Sequence, residues 1–407
     1  MSSGHVVIAG AGHAGGSVAA FLRQYGFQGA ITLVGEEPIA PYQRPPLSKA
    51  WLKGEADAES LLLRPIDWYA EAGVELRLGT RIEAIDVPDS SIRLSDGTRL
   101  AYDQLVLALG AEARRLDIPG ADLDNVGVLR SAADAEWLKA RLGPGRRIAV
   151  IGGGYVGLEA AASARSLGAD VVVLEREDRL LARVAAPVLS TFYLTRHQAE
   201  GVTFLFGAQI DSFEAGGVRL SDGRLIDADT VLVGVGARPN DRLAREAGLA
   251  CGDGVIVDES ARTSDPNIFA VGDMTFRPIS LFARSLRMES VPSALEQAKQ
   301  AAAAICGTSP PLPEVPWFWS DQYDLKLQIA GLPLDCDQLV VRGDPATGAF
   351  ALFHLAEGVV RAVEAVNAPG EFMAGRQFIA RGILVDPDRL ADLTVPMKQV
   401  AAAPDAG

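Results

Sequence analysis

Apolar residues in this chain gather into short unbroken runs closed by glycine. Val6-Val7-Ile8-Ala9 is one such run and Ile148-Ala149-Val150-Ile151 is another. A short continuous run bounded by turn residues reads as a strand buried on both faces, the habit of parallel sheets. Each run passes directly into a glycine-rich turn and then into helix-forming sequence: Gly10-Ala11-Gly12-His13-Ala14-Gly15 after the first, Gly152-Gly153-Gly154-Tyr155-Val156-Gly157 after the second. Further on, Thr32-Leu33-Val34-Gly35 leads to Glu36, and Val171-Val172-Val173-Leu174 leads to Glu175. A later pair of segments repeats as well. Leu94-Ser95-Asp96-Gly97 precedes the apolar run Leu105-Val106-Leu107-Ala108, and Leu220-Ser221-Asp222-Gly223 precedes Val231-Leu232-Val233. Asp-Gly predicts a hairpin turn in both places, each feeding a strand that returns to the main sheet. The pattern predicts an α/β fold in which a whole domain is duplicated.

The second copy is inserted into the first. After Gly236-Ala237-Arg238-Pro239-Asn240, the buried run Ile268-Phe269-Ala270-Val271 reads as a return to the first domain. Gly272-Asp273 follows it, at the C-terminal end of a strand, where open α/β sheets bind ligands. The Ala-rich stretch 295–305 predicts a helix, and Pro310, Pro311 and Pro313 mark a linker. Beyond them, runs at 339–341, 349–353 and 359–363 predict an antiparallel sheet and 376–381 a helix, a small α+β domain. The expected division is 1–112 with 241–312, then 113–240, then 313–407, with the terminal Ala403–Gly407 frayed.

Strand, glycine turn, helix and a carboxylate about 20 residues on form the dinucleotide-binding signature, here present twice. The first glycine permits the turn, the second admits the pyrophosphate to the backbone, and the third lets helix pack on strand. Phosphates then face free N–H groups at the positive end of the helix. Glu175 suits a free ribose 2′-hydroxyl and repels a 2′-phosphate, favouring NAD over NADP. Arg176, Arg179 and Arg183 close behind it read as a solvated loop.

At 407 residues, 48% apolar and 22% charged, the chain is sized for two to three globular domains. A net charge of −14 argues against nucleic acid, though a local basic patch can still dock an acidic protein. No apolar run reaches the roughly 18 residues of a membrane span. The first apolar run begins at Val6 with no charged segment ahead of it, so no secretory signal is expected. Cys251, Cys306 and Cys336 lie far apart and form no C-x-x-C, so neither zinc nor a local dithiol is indicated and a reducing cytoplasm fits. His5, His13, His197 and His354 show no ligand spacing and read as structural, His197 on a helix face.

Four stretches carry a resemblance that spans nearly the whole chain: Arg44-Pro45-Pro46-Leu47-Ser48-Lys49, Gly152 to Glu159, Glu289-Ser290-Val291-Pro292-Ser293-Ala294, and Trp317-Phe318-Trp319-Ser320-Asp321-Gln322. In them the chain resembles the oxygenase-coupled NADH-dependent ferredoxin reductases, a branch of the two-dinucleotide flavoprotein reductases. The resemblance implies two Rossmann-like domains in the glutathione-reductase manner, the NAD domain inserted in the FAD domain, plus a C-terminal α+β domain. It implies non-covalent FAD on the first fingerprint and NADH on the second. For FAD it points to Gly10, Gly12, Ala14, Gly15, Glu36, Arg44, Lys49, Ile82, Arg130, Asp273, Val291 and Trp319. For the nicotinamide cofactor it points to Gly152, Gly154, Tyr155, Val156, Gly157, Glu159, Glu175, Gly236 and Glu289. Ala108-Leu109-Gly110 departs from the family's Ala-Thr-Gly.

Lys49 and Glu159 are expected to pair beside the flavin as the catalytic groups, the lysine stabilising reduced flavin and the carboxylate orienting the nicotinamide. A carboxylate at 159 would also suit the positive end of its own helix. Disulfide-reducing and peroxide-reducing relatives carry cysteine after the first ribose acid, where this chain has Pro41-Tyr42-Gln43-Arg44-Pro45-Pro46. The resemblance therefore implies direct electron transfer to a [2Fe–2S] ferredoxin that feeds a cytochrome P450 or other oxygenase. Lys299, Lys326 and Lys398, with Arg284 and Arg287, are the basic residues expected at that docking face. Alternatives on the same fold are a rubredoxin reductase or a diaphorase-type NADH oxidase. An NADH-sensing protein that binds nucleic acid fits poorly with the acidic composition.

Overall fold

The computed structural model describes residues 4–401; the expected frayed tail Ala403–Gly407 lies outside them. The chain forms two compact units. The first is made of Met1–Arg44, Asp57–Glu112 and Ala237–Glu314. The second is made of Pro45–Ala56, Ala113–Gly236 and Val315–Gly407.

In the first unit a five-stranded sheet runs in the order Ile268–Ala270, Gln104–Leu107, His5–Ala9, Ala30–Val34, Val74–Arg77. All its pairings are parallel. The central strand His5–Ala9 is buried on both sides, which explains its unbroken apolar run. Helices His13–Gln24 and Val291–Cys306 pack on each other over one face, closing a core with Ile8, Leu22, Phe269 and Ala302. The Asp-Gly signal at 96–97 turns strand Ser91–Leu94 into Arg99–Ala101, with Gly97 at φ +85°.

The second unit repeats the plan. Its parallel sheet runs Thr203–Leu205, Asp170–Leu174, Arg147–Ile151, Thr230–Val233, Val126–Gly127. Helix Tyr155–Ser166 follows the central strand, and the second Asp-Gly hairpin joins Gly217–Leu220 to Leu225–Asp227. The C-terminal segment adds a five-stranded antiparallel sheet, ordered Trp317–Gln322, Leu325–Gly331, Val359–Val366, Ala349–Ala356, Gln338–Asp344, with helix Pro369–Arg381 against it.

Two features differ from the sequence-based division. The C-terminal sheet shares a core with residues 113–236: Leu327, Phe350, Leu352 and Val366 pack with Leu158, Leu189 and Tyr193. Residues 45–56, expected inside the first domain, belong to the second unit instead. Leu52 is buried in a core with Leu138, Ile148 and Ala160, and the Ser48 carbonyl accepts a hydrogen bond from Ser163 Oγ at 2.7 Å. Among the described residues, no helix is long and apolar enough to cross a membrane.

Candidate functional site: two dinucleotide cradles and a buried ion pair

Each fingerprint folds as its glycines require. Gly10 sits at φ +119° and Gly152 at φ +99°, the left-handed region that a Cβ disfavours. Their N–H groups donate to the end of the neighbouring strand, Gly10 to Val34 O and Gly152 to Leu174 O, both at 2.8 Å. A Cβ at Gly15 would stand 1.9 Å from Gly10 O, and one at Gly157 would stand 2.5 Å from Gly152 O. A Cβ at Gly12 or Gly154 would meet nothing within 4 Å. The third glycine is thus a packing requirement, while the middle glycine opens onto room for a ligand. Gly12 and Gly154 are the N-caps of the two helices, which have no side-chain cap and no acid in the first turn. Their N-terminal N–H groups and dipole remain available to an anion. These features fit a dinucleotide pyrophosphate in both units.

In the first unit Gly272 (φ +81°) brings the Gly272-Asp273 corner against Ala14, since a Cβ there would lie 3.1 Å from the Ala14 methyl. Asp273 acts electrostatically on His13, whose proton affinity is lowered chiefly by burial and partly restored by that carboxylate. The His13 Nδ1 is buried without a hydrogen-bond partner, a polar atom left beside the cradle. Glu36 is exposed past its strand, and Ile82 is buried at the start of strand Ile82–Asp86. Arg44 pairs with Glu37 at 2.8 Å, and Val291 opens helix Val291–Cys306. Glu289 is exposed and tied to Arg287. At the departure from the family pattern, Leu109 N–H donates to Met274 Sδ at 3.2 Å.

In the second unit Glu175 lies across the glycine turn. Its Oε2 accepts from Gly153 N–H at 2.6 Å and its Oε1 from Glu177 N–H at 2.9 Å. Gly236 sits at φ +103°, where a Cβ would touch Arg183 Nη2 at 3.9 Å, and Val156 is about half exposed. Tyr155 is half-buried with its hydroxyl enclosed, its ring edge-on to Phe318 at 4.9 Å, and burial drives its phenol well above the usual range. Arg130 N–H donates to the Asp134 carboxylate at 3.0 Å. Arg176 is exposed and bonded to Glu177. Arg179 is not the solvated residue expected: it donates to Ala185 O, Ala182 O and Ser190 Oγ, pinning its own loop.

The second unit also brings Lys49 and Glu159 together. Lys49 Nζ lies 2.9 Å from Glu159 Oε1, with side chains 17% and 6% exposed, so the pair is nearly dry. Two hydroxyls complete the carboxylate: Ser48 Oγ donates to Oε2 and Ser320 Oγ to Oε1, each at 2.6 Å. A buried carboxylate needs such partners to remain charged. Glu159, near the start of its helix, is thus held by Lys49, Ser48 and Ser320 together.

The family description pyridine nucleotide-disulphide oxidoreductase matches residues 4–298, and that of a reductase C-terminal domain matches 317–401. The chain belongs to the pyridine nucleotide-disulphide oxidoreductase family. It is 50% identical to the probable ferredoxin reductase CtmF of Castellaniella defragrans, covering 97% of this chain and 98% of that one. It is 42% identical to putidaredoxin reductase CamA of Pseudomonas putida, covering 99% and 98%. The crystal structure of a covalent putidaredoxin reductase–putidaredoxin complex superimposes with a TM-score of 0.95 at 42% identity, covering 99% of each chain. The chain is thus a member of the ferredoxin reductases, whose family uses FAD with NAD(H).

Within this family the chain carries no dithiol of the kind the family's name refers to. Cys251 and Cys336 are free thiols that burial raises above their usual range, and Cys306 Sγ lies 3.9 Å from Leu22 O. Of the expected docking residues, Lys326 and Lys398 are exposed, while Lys299 already pairs with Glu314 at 2.8 Å and Arg287 with Asp253 and Glu289. Trp319 is half-buried, its ring 5.5 Å from Trp317. The reading from sequence missed Ser48 and Ser320 as partners of Glu159, and Gln322 and His197 in line behind Ser320. The signal available was alternation in Trp317–Gln322, where Ser320 and Gln322 share the buried face of the strand.

Proposed function

We propose that this chain is the NADH-dependent reductase of a cytoplasmic oxygenase system, reducing a [2Fe–2S] ferredoxin that feeds a cytochrome P450 or related oxygenase. The observation that carries the reading is a second complete dinucleotide cradle in a chain whose 41–46 stretch holds no cysteine. When bound, FAD and NADH supply the redox chemistry: two electrons enter from the nicotinamide and leave singly to the iron–sulfur partner.

The protein's own part is binding, orientation and exclusion of water. Gly10, Gly12, Ala14 and Gly15 would cradle the FAD pyrophosphate, with Glu36 on its ribose and Ile82, Arg44, Arg130, Asp273, Val291 and Trp319 along the rest. Gly152, Gly154, Tyr155, Val156 and Gly157 would cradle NADH, with Gly236 and Glu289 beside it. The Glu175 carboxylate faces a ribose 2′-hydroxyl more readily than a 2′-phosphate, which supports NADH as the donor. Lys49 holds a positive charge at one oxygen of Glu159, and that charge would favour an electron-rich flavin. Glu159, held by three donors, presents a fixed acceptor for the nicotinamide amide. Lys326 and Lys398 offer exposed positive charge for an acidic ferredoxin despite the net charge of −14.

Anaerobic stopped-flow absorbance tests this. The yellow protein should bleach rapidly with NADH and slowly with NADPH, then reduce an oxidised [2Fe–2S] ferredoxin at a rate that falls with salt. Bleaching followed by reoxidation with oxygen or quinone but not with ferredoxin would replace the reading with an oxidase or diaphorase.

A further inference from the structure

Behind Glu159 the second unit contains a line of polar side chains from two segments, helix Pro187–Ala199 and strand Trp317–Gln322 with the residue after it. Ser320 Oγ lies 2.6 Å from Glu159 Oε1, Gln322 Nε2 lies 3.1 Å from Ser320 Oγ, and Gln322 Oε1 lies 2.8 Å from His197 Nε2. His197 Nδ1 lies 3.1 Å from the Tyr323 hydroxyl. Ser320, Gln322 and His197 are each 1% exposed or less.

The direction of every bond follows from the first. An ionised carboxylate only accepts, so the single Ser320 proton points at Glu159. Ser320 Oγ must then accept from Gln322, which places the Gln322 amide nitrogen on that side and its oxygen toward His197. An oxygen facing His197 Nε2 requires a proton on Nε2. The neutral imidazole then has a bare Nδ1, so Tyr323 is the donor there. Burial lowers the His197 proton affinity to about 4, in keeping with a neutral ring. Arg196, 5.2 Å over the Tyr323 ring and 2.8 Å from Asp324, holds the outer end in place.

We propose that Tyr323, His197, Gln322 and Ser320 form a one-way donor chain that orients the Glu159 carboxylate for flavin reduction, making them positioning residues for the Lys49–Glu159 pair. This rests on the reading of Glu159 given above. Aligned donors polarise one another, so the outer members act on the carboxylate without touching it. None of the four needs to exchange a proton in turnover; their role is to keep one carboxylate oxygen committed to Ser320 and Lys49.

The test has two independent readouts on the FAD-loaded protein. In the first, nitrogen-15 NMR of histidine-labelled protein, with His197→Gln to assign the signal, should show the proton on Nε2 and a bare Nδ1. A proton on Nδ1 overturns the chain whatever the kinetics. In the second, flavin reduction at saturating NADH should fall about tenfold in Ser320→Ala, which loses a charge-assisted link, and about threefold in His197→Phe, which loses a neutral one. His197→Gln, whose amide N–H can stand in for Nε2–H, should recover most of the rate. If Glu159→Gln slows reduction and Ser320→Ala does not, the chain falls and the role of Glu159 stands. If Glu159→Gln itself has no effect, the reading of Glu159 falls and takes this one with it.

Discussion

Replacing Lys49 by Met would remove one charge from the Lys49–Glu159 pair while keeping most of the stem. The ammonium lies 2.9 Å from Glu159 Oε1 and is 17% exposed, against 6% for the carboxylate. Breaking a buried pair commonly costs about 3–5 kcal/mol because the survivor is left charged and dry. Here Ser48 and Ser320 still donate to both carboxylate oxygens, and the lysine position can admit some water. The expected loss therefore falls below that range, about 2 kcal/mol, or a fall of roughly 4–8 °C in melting temperature for a unit of this size. FAD should stay bound, because the cradle formed by Gly10, Gly12 and Gly15 is untouched. The rate of flavin bleaching by NADH should drop about tenfold to a hundredfold, the loss of a charge-assisted interaction of about 1.5–3 kcal/mol. Anaerobic stopped-flow absorbance reads the rate, flavin absorbance after gel filtration reads occupancy, and calorimetry reads stability. A variant that melts lower but bleaches within about twofold of the wild type would show that the pair holds the fold and does not serve flavin reduction.

Other changes test the remaining contacts. Gly15→Ala would place a methyl 1.9 Å from Gly10 O, a backbone atom with no room to yield, so the purified protein should carry little flavin; a normal flavin-to-protein ratio would contradict the cradle. Arg179→Ala removes three hydrogen bonds within its own loop and should lower the melting temperature without changing the preference for NADH; a shift toward NADPH would instead give Arg179 a part in coenzyme choice. His197 binds a proton near 6.5 when unfolded but only near about 4 when folded, so the unfolded chain takes up more protons between those values. Stability should therefore fall as pH drops from 6.5 through 4, by about 3 kcal/mol in all, and His197→Gln should flatten that part of the profile in denaturant titrations.

Much of the molecule was legible in the order of residues because the features concerned are local. A buried parallel strand announces itself as an apolar run, and a tight turn to a helix needs glycine at φ values such as the +119° of Gly10. Asp96-Gly97 and Asp222-Gly223 marked hairpins within a few residues of their own strands, and their repetition exposed the duplication. Glu36 and Glu175 stood where the strand-to-loop spacing put them. Only the tertiary structure decided who surrounds Glu159. Its partners Ser48 and Ser320 lie 111 and 161 positions away, and no spacing rule joins residues so remote. The same holds for the assignment of 45–56 to the second unit, which turns on Leu52 finding its core among residues near 138–160. Local conformational preference is written residue by residue, whereas burial and hydrogen-bond satisfaction depend on which surfaces meet once the chain has folded.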